Sequence, residues 1–90
     1  MCTYQTMKIE IEGSGKGPSG WFGVSNALVY VDHAVHAQYT HTVNIDFINQ
    51  AQGPGARVAV ELTEESARAL AEAITAALAA ATAGLASRNQ

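Results

Sequence analysis

The sequence predicts an α+β fold in which a four-stranded antiparallel sheet packs against one long C-terminal helix. Four segments alternate apolar and polar residues or are rich in β-branched and aromatic types, as strands are. The last third has apolar residues at three- and four-residue spacing, which is typical of a helix. The connections before the third and fourth segments are too short for a parallel crossover, so the strands are expected to be antiparallel. The predicted order is ββββα, in one domain over residues 1–90.

The strand predictions follow the chain from its N-terminus. Apolar side chains alternate with charged ones over residues 7–12, which indicates a half-buried strand. Three further segments are expected to complete the sheet: 26–33, 41–49 and 56–62. Glycine is frequent in residues 13–20 and 51–56, so we expect the first of these to be a loop and the second a turn. A bend or bulge is expected near Gly23 and Ser25.

The helix prediction covers residues 63–83. Thr63 is suited to the N-cap, and Glu64 and Glu65 fall in the first turn, where the helix dipole favours anions. Gly84 is suited to the position after the last turn. The apolar positions of this helix are Ala67, Leu70, Ala71, Ile74, Leu78 and Ala81. We expect the larger of them to pack on the apolar side chains of the sheet, which are Met7, Ile9, Val29, Val31, Val43, Ile45, Phe47, Val58, Val60 and Leu62.

The predicted core is thin, because a chain of 90 residues buries only about 60% of its unfolded surface. A helix of about 20 residues spans about 30 Å, whereas strands of six or seven residues span about 20–23 Å, so the helix is expected to overhang the sheet. Its last third is rich in alanine, which allows a second backbone to approach closely. These features favour a homodimer. The alternative is that alanine merely propagates a solvated helix end.

Composition and charge exclude several classes of protein. The net charge is -3, and the 5 lysine and arginine residues are spread along the chain without a basic stripe, so nucleic acid is not an expected partner. No apolar run approaches the roughly 20 residues that span a membrane, and the N-terminus does not resemble a secretory signal. We therefore expect a cytoplasmic protein whose single cysteine stays reduced. The residues around Lys16 do not have the spacing of a phosphate-binding loop.

The three histidines, His33, His36 and His41, fall in one short segment. If the second and third strands form a hairpin that pairs Val31 with Val43, their apolar faces match and His33 lies opposite His41. Opposed strand residues have Cβ atoms about 4.5–5.5 Å apart, which suits two imidazoles on one ion, and His36 in the loop could supply a third ligand. We therefore predict a metal site with an open coordination position, which is the arrangement of catalytic rather than structural zinc sites. Zinc is the expected ion, and copper, iron or nickel are alternatives.

The histidines also have a structural interpretation. His33 and His41 could close the end of the core as neutral rings bonded to the backbone, with His36 in solvent. Asp32 points to the opposite face of its strand and is not an expected ligand. The second hypothesis for the function is therefore a non-catalytic homodimeric binding or scaffold module without a metal.

Cys2 is the remaining candidate for chemistry. With a nearby histidine its thiol would form a nucleophile and base pair, so a metal-free enzyme is a third hypothesis. Cys2 could also be a fourth metal ligand. Strand parity places it on the face opposite Met7 unless the chain bends between them. The sequence alone does not identify a substrate or a reaction.

Five stretches of the chain carry a family resemblance: MCTY-x-T, GSGKG-x-SGWF, VYVDHAVHA, HTVNIDF and ESARALAEAI. They cover most of the chain and resemble a family of small bacterial proteins that begin with MCTY and form a domain of unknown function. The resemblance implies a compact, stand-alone protein. It carries no activity, substrate or cofactor over to this chain.

Overall fold

The strands and the helix follow the predicted order in the computed structural model, which describes the backbone of residues 5–33 and 41–88 and the side chains of residues 5–32 and 41–82. The elements are β1 (Met7–Gly17), β2 (Gly20–His33), β3 (His41–Ile48), a short 3-10 helix (Gln50–Gln52), β4 (Arg57–Leu62) and α1 (Glu64–Arg88). The four strands form one antiparallel sheet in the order β1-β2-β3-β4. The α+β fold class and the ββββα order are confirmed.

Apolar residues of the strands line up in three rows across one face of the sheet. The first row contains Ile9, Ala27, Phe47 and Val58, the second contains Met7, Val29, Ile45 and Val60, and the third contains Val31, Val43 and Leu62. We call these residues the apolar face, and none of them is charged. The predicted register of β2 and β3 is confirmed, because Val31 is paired with Val43 and Val29 with Ile45.

The glycine-rich segment 13–20 is not a loop, contrary to the prediction. β1 continues through Gly17, and its last residues pair with the beginning of β2 around a tight turn. A Cβ atom on Gly15 would lie 3.2 Å from Val24 Cγ2, and one on Gly17 would lie 3.2 Å from Phe22 Cε1. The glycines adopt a strand because their missing side chains leave room for residues of β2 to lie across β1.

A β-bulge lets the sheet curl. Ile11 and Glu12 of β1 lie opposite Ser25 of β2, so β1 carries one extra residue at the bend that was expected near Ser25. Beyond the bulge β1 approaches β4, since a Cβ atom on Gly17 would lie 3.4 Å from the carbonyl oxygen of Arg57. The core is thin, as predicted: among the described residues, the buried apolar side chains are Val24, Ala27 and Ala56.

The helix begins where the sequence predicts. Thr63 is its N-cap: the Oγ1 atom accepts a hydrogen bond from the Ser66 backbone N–H at 3.0 Å, and the Thr63 carbonyl oxygen accepts one from Ala67 at 2.9 Å. The predicted end is wrong, because α1 passes through Gly84 and continues to Arg88. A glycine ends a helix when it takes a left-handed conformation, and Gly84 instead remains helical among alanines that propagate the helix well.

Within one chain, only the start of α1 packs on the sheet, so the predicted helix–sheet packing is incomplete. The helix contacts β3 and β4, and Ala67 is half-buried, but Leu70, Ile74 and Leu78 are exposed. The reason lies in the connection, because Thr63 is the only residue between the end of β4 and the start of α1. A connection that turns a helix back over its own sheet commonly has about 2–6 residues.

Candidate functional site

The apolar face of the sheet is open to solvent. Met7 is 58% exposed and Ile9 is 51% exposed, and the other members of the three rows are half-buried or buried. On α1, Leu70, Ile74 and Leu78 are 42%, 52% and 61% exposed, and we call these three residues the helix stripe. Contiguous exposed apolar patches commonly mark sites of association. The sheet and the helix therefore present two such surfaces on one chain.

The size of the chain's surface points the same way. The accessible surface is 6830 Å², about 1,800 Å² more than the roughly 5,000 Å² of a compact monomer of 9.4 kDa. The Cα radius of gyration is 15.4 Å, whereas about 12 Å is usual for a compact domain of 90 residues. One chain alone thus leaves more surface in water than its mass requires.

The charges of α1 leave the helix stripe clear. They lie in the first part of the helix, where Arg68 forms an ion pair with Glu64, and at its last residue, Arg88, whereas residues 73–87 carry no charge. At about 100° per residue, Glu65, Arg68 and Glu72 lie on the side of the helix opposite the helix stripe. From Leu70 to Leu78, the exposed apolar side of α1 is therefore an uncharged surface.

The second candidate site is the end of the β2–β3 hairpin, where the predicted opposition of two histidines is confirmed in the strand register. His33 is paired with His41, one pair beyond Asp32 and Thr42. The His41 side chain is exposed. Asp32 lies on the opposite face of β2, as strand parity predicts.

Several predicted site residues fall outside the described part of the chain. They are His36, within residues 34–40, the side chain of His33, and Cys2, within residues 1–4. Within the described residues, no three His, Cys, Asp or Glu side chains come together in a way that could hold a metal ion. The three-histidine metal site and the role of Cys2 stay predictions.

A polar cluster that the sequence did not predict lies on the other face of the sheet. The Asp46 carboxylate accepts a hydrogen bond from the Tyr30 hydroxyl at 3.2 Å and forms an ion pair with Arg57 at 3.1 Å. Nearby, the buried Thr42 hydroxyl donates to the side-chain oxygen of Asn44 at 2.6 Å. The cluster joins β2, β3 and β4. Strand parity puts Asp46 on the face opposite Ile45 and Phe47, but its partners follow from the pairing of β3 with β4.

The curled end of the sheet forms an open cleft of about 300 Å³. It is lined mostly by glycine and apolar residues, with Lys16 at its edge: Ile11, Gly13, Ser14, Gly15, Lys16, Val24, Phe47 and Val58. Phe47 and Val58 also belong to the apolar face, so the cleft continues that surface. Gly13 and Gly15 are among the lining residues, and because they carry no side chains they leave room for the cleft.

Family comparison agrees with the motifs of the sequence, because the model of one family matches residues 1–87. The chain belongs to DUF6295, a family of unknown function. The DUF6295 match covers every strand and the helix up to its last residue, so the family resemblance is confirmed. Comparison with curated proteins and with solved structures gives no match.

This DUF6295 member has one long helix among its described residues, α1, and neither it nor any other described helix is long and apolar enough to cross a membrane.

Proposed function

We propose that this protein is a non-catalytic homodimeric binding module, in which the apolar face and the helix stripe are covered by a second copy. The observation that carries the proposal is the simultaneous exposure of two apolar surfaces on one chain. Met7 and Ile9 on the sheet, and Ile74 and Leu78 on the helix, are each more than half exposed. Burying a side chain of this size contributes about 1.5–3 kcal/mol.

The surface area supports this proposal quantitatively. The surplus of about 1,800 Å² per chain gives about 3,600 Å² for two chains, and obligate homodimers bury about 2,000–5,000 Å² in total. A transient contact would need far less. The surplus is therefore large enough to supply an interface of that size.

The mass of the protein in solution tests the proposal. Light scattering coupled to gel filtration should give twice the 9.4 kDa chain mass at tens of micromolar chain concentration. The melting temperature should also rise with chain concentration, because unfolding then includes dissociation. A monomer mass together with a concentration-independent melting temperature would reject the proposal.

Metal binding at the hairpin end is a second candidate function, and the pairing of His33 with His41 favours it. Opposed strand residues have Cβ atoms about 4.5–5.5 Å apart, which allows two imidazoles to bind one ion. His36 would supply a third ligand, leaving an open position on a zinc ion; copper, iron or nickel would accept the same ligands. Elemental analysis of protein purified without a histidine tag tests this function. A transition metal at about one ion per chain supports it, whereas metal-free protein that does not respond to added ions rejects it.

A further inference from the structure

We infer that the two copies exchange their helices, so that α1 of each copy lies over the apolar face of the other. This inference rests on the proposed homodimer and adds its arrangement. The occupant of the apolar face is then the helix stripe of a second copy, namely Leu70, Ile74 and Leu78.

The connection between β4 and α1 carries the first step of the argument. It is the single residue Thr63, whose side chain and carbonyl oxygen both accept hydrogen bonds from the first helical turn. The direction in which the helix leaves the sheet is therefore fixed, with no spare residue to reverse the chain. Helices that fold back on their own sheet commonly follow connections of about 2–6 residues. A short connection of this kind favours exchange of the element with a second copy.

The spacing of the two surfaces carries the second step. Leu70, Ile74 and Leu78 are four residues apart, which is a rise of about 6 Å per step along the helix. Neighbouring rows of the apolar face are two residues apart along a strand, which is about 6.7 Å. The three stripe residues can therefore lie over the three rows when the helix runs roughly along the strands. The positions that flank the stripe are small and allow close approach: Ala67, Ala71, Ala77 and Ala81.

Two other arrangements of a dimer leave apolar surface in water. If the two apolar faces packed on each other, the helix stripes would stay exposed. If the two helices packed through their stripes, Met7 and Ile9 would stay exposed. Reciprocal exchange covers all of these residues with one two-fold axis. Between Leu70 and Leu78 it also meets no charge, because the apolar face contains none and Glu72, the charged residue of this stretch, lies on the side of α1 opposite the stripe.

Cross-linking between marked chains tests the arrangement. In a Cys2→Ser background, one chain carries Ile9→Cys and the other, with a longer tag, carries Ile74→Cys. Both positions are exposed in the single chain, so the substitutions are compatible with the fold. The chains are unfolded together, refolded and treated with a short bifunctional maleimide. Control pairs replace Ile9→Cys by Lys8→Cys on the other face of β1, or Ile74→Cys by Ala76→Cys on the other side of α1.

Helix exchange predicts that the Ile9→Cys and Ile74→Cys chains cross-link to each other several-fold more than either control pair does. If the mixture has the mass of a dimer but this cross-link does not exceed the controls, helix exchange is wrong and the homodimer stands. A single chain that carries both substitutions is treated in the same way. If the cross-link forms only within that chain, the helix covers its own sheet, so helix exchange is wrong and the homodimer stands. A monomer mass overturns the homodimer and the exchange together.

Discussion

His33 is paired with His41 at the end of the sheet where α1 begins, so the strand register places two histidines at opposite positions of β2 and β3. If this pair binds zinc, saturation at about 100 times the Kd should stabilise the fold by about 2.7 kcal/mol. Zinc should therefore raise the melting temperature. His41→Ala should abolish this rise, and Asp32→Ala on the opposite face should retain it. The stabilisation should be lost in acid, because imidazole binds a metal ion only when its binding nitrogen is deprotonated.

Calorimetric melting curves with added zinc and with chelator are the measurement for this prediction. The comparison needs protein without a histidine tag. Equal responses of His41→Ala and of the unmodified protein to zinc would show that the ion binds elsewhere.

If the proposed homodimer forms, placing a charge in the helix stripe should dissociate it. Ile74→Glu would leave one unpaired carboxylate per chain in an apolar interface, which costs about 3 kcal/mol for each of the two sites of the dimer, or about 10,000-fold in Kd. Ala76→Glu is the matched control, because it adds the same side chain about half a turn away on the same exposed helix. Sedimentation equilibrium over a range of concentrations gives both Kd values. A similar loss of affinity in the two variants would argue against the stripe as the contact surface.

Alanine substitutions at two glycines of β1 should change the free energy of unfolding in opposite directions. A Cβ atom on Gly15 would lie 3.2 Å from Val24 Cγ2, and Val24 is buried, so Gly15→Ala should lower the free energy of unfolding by about 1–2 kcal/mol. A Cβ atom on Gly13 meets nothing within 4 Å, so Gly13→Ala should raise stability by about 0.4–1 kcal/mol. Neither glycine has a positive φ. Urea denaturation at equal chain concentrations measures the difference, and equal effects of the two changes would contradict it.

The N-cap threonine of α1 should contribute more to the stability of the fold than a threonine inside the helix does. Thr63→Ala removes the oxygen that accepts the Ser66 N–H, with an expected loss of about 0.5–2 kcal/mol. Thr75 donates its hydroxyl to the Ala71 carbonyl on the exposed helix, and Thr75→Ala should be neutral or slightly stabilising because alanine has the higher helix propensity. Denaturation curves of both variants check the prediction. A larger loss for Thr75→Ala would mean that the helix surface, and not its cap, limits stability.

The parts of the fold that local chemistry determines were predictable from the sequence. Matching of apolar residues set the register of Val31 with Val43, and with it the position of His33 opposite His41. Thr63 was recognisable as an N-cap because its hydroxyl satisfies a free N–H of the first turn.

The rest depended on contacts that sequence periodicity does not contain. Gly15 and Gly17 form a strand because Val24 and Phe22 occupy the space beside them, and glycine alone gives no sign of such neighbours. The contacts of Asp46 depend on the pairing of β3 with β4. The exposed helix stripe arises from a one-residue connection whose geometric effect appears only in three dimensions.

The order of the strands in the sheet is the order of the strands in the chain, and this has a consequence for how the molecule is made. Each strand pairs with the one that precedes it, so the contacts of the sheet are local and can form hairpin by hairpin as the polypeptide leaves the ribosome. In the chain, α1 follows β4 directly. We therefore expect the sheet to form early in folding from its neighbouring hairpins, and pairing between copies, whose rate depends on chain concentration, to be the slower step.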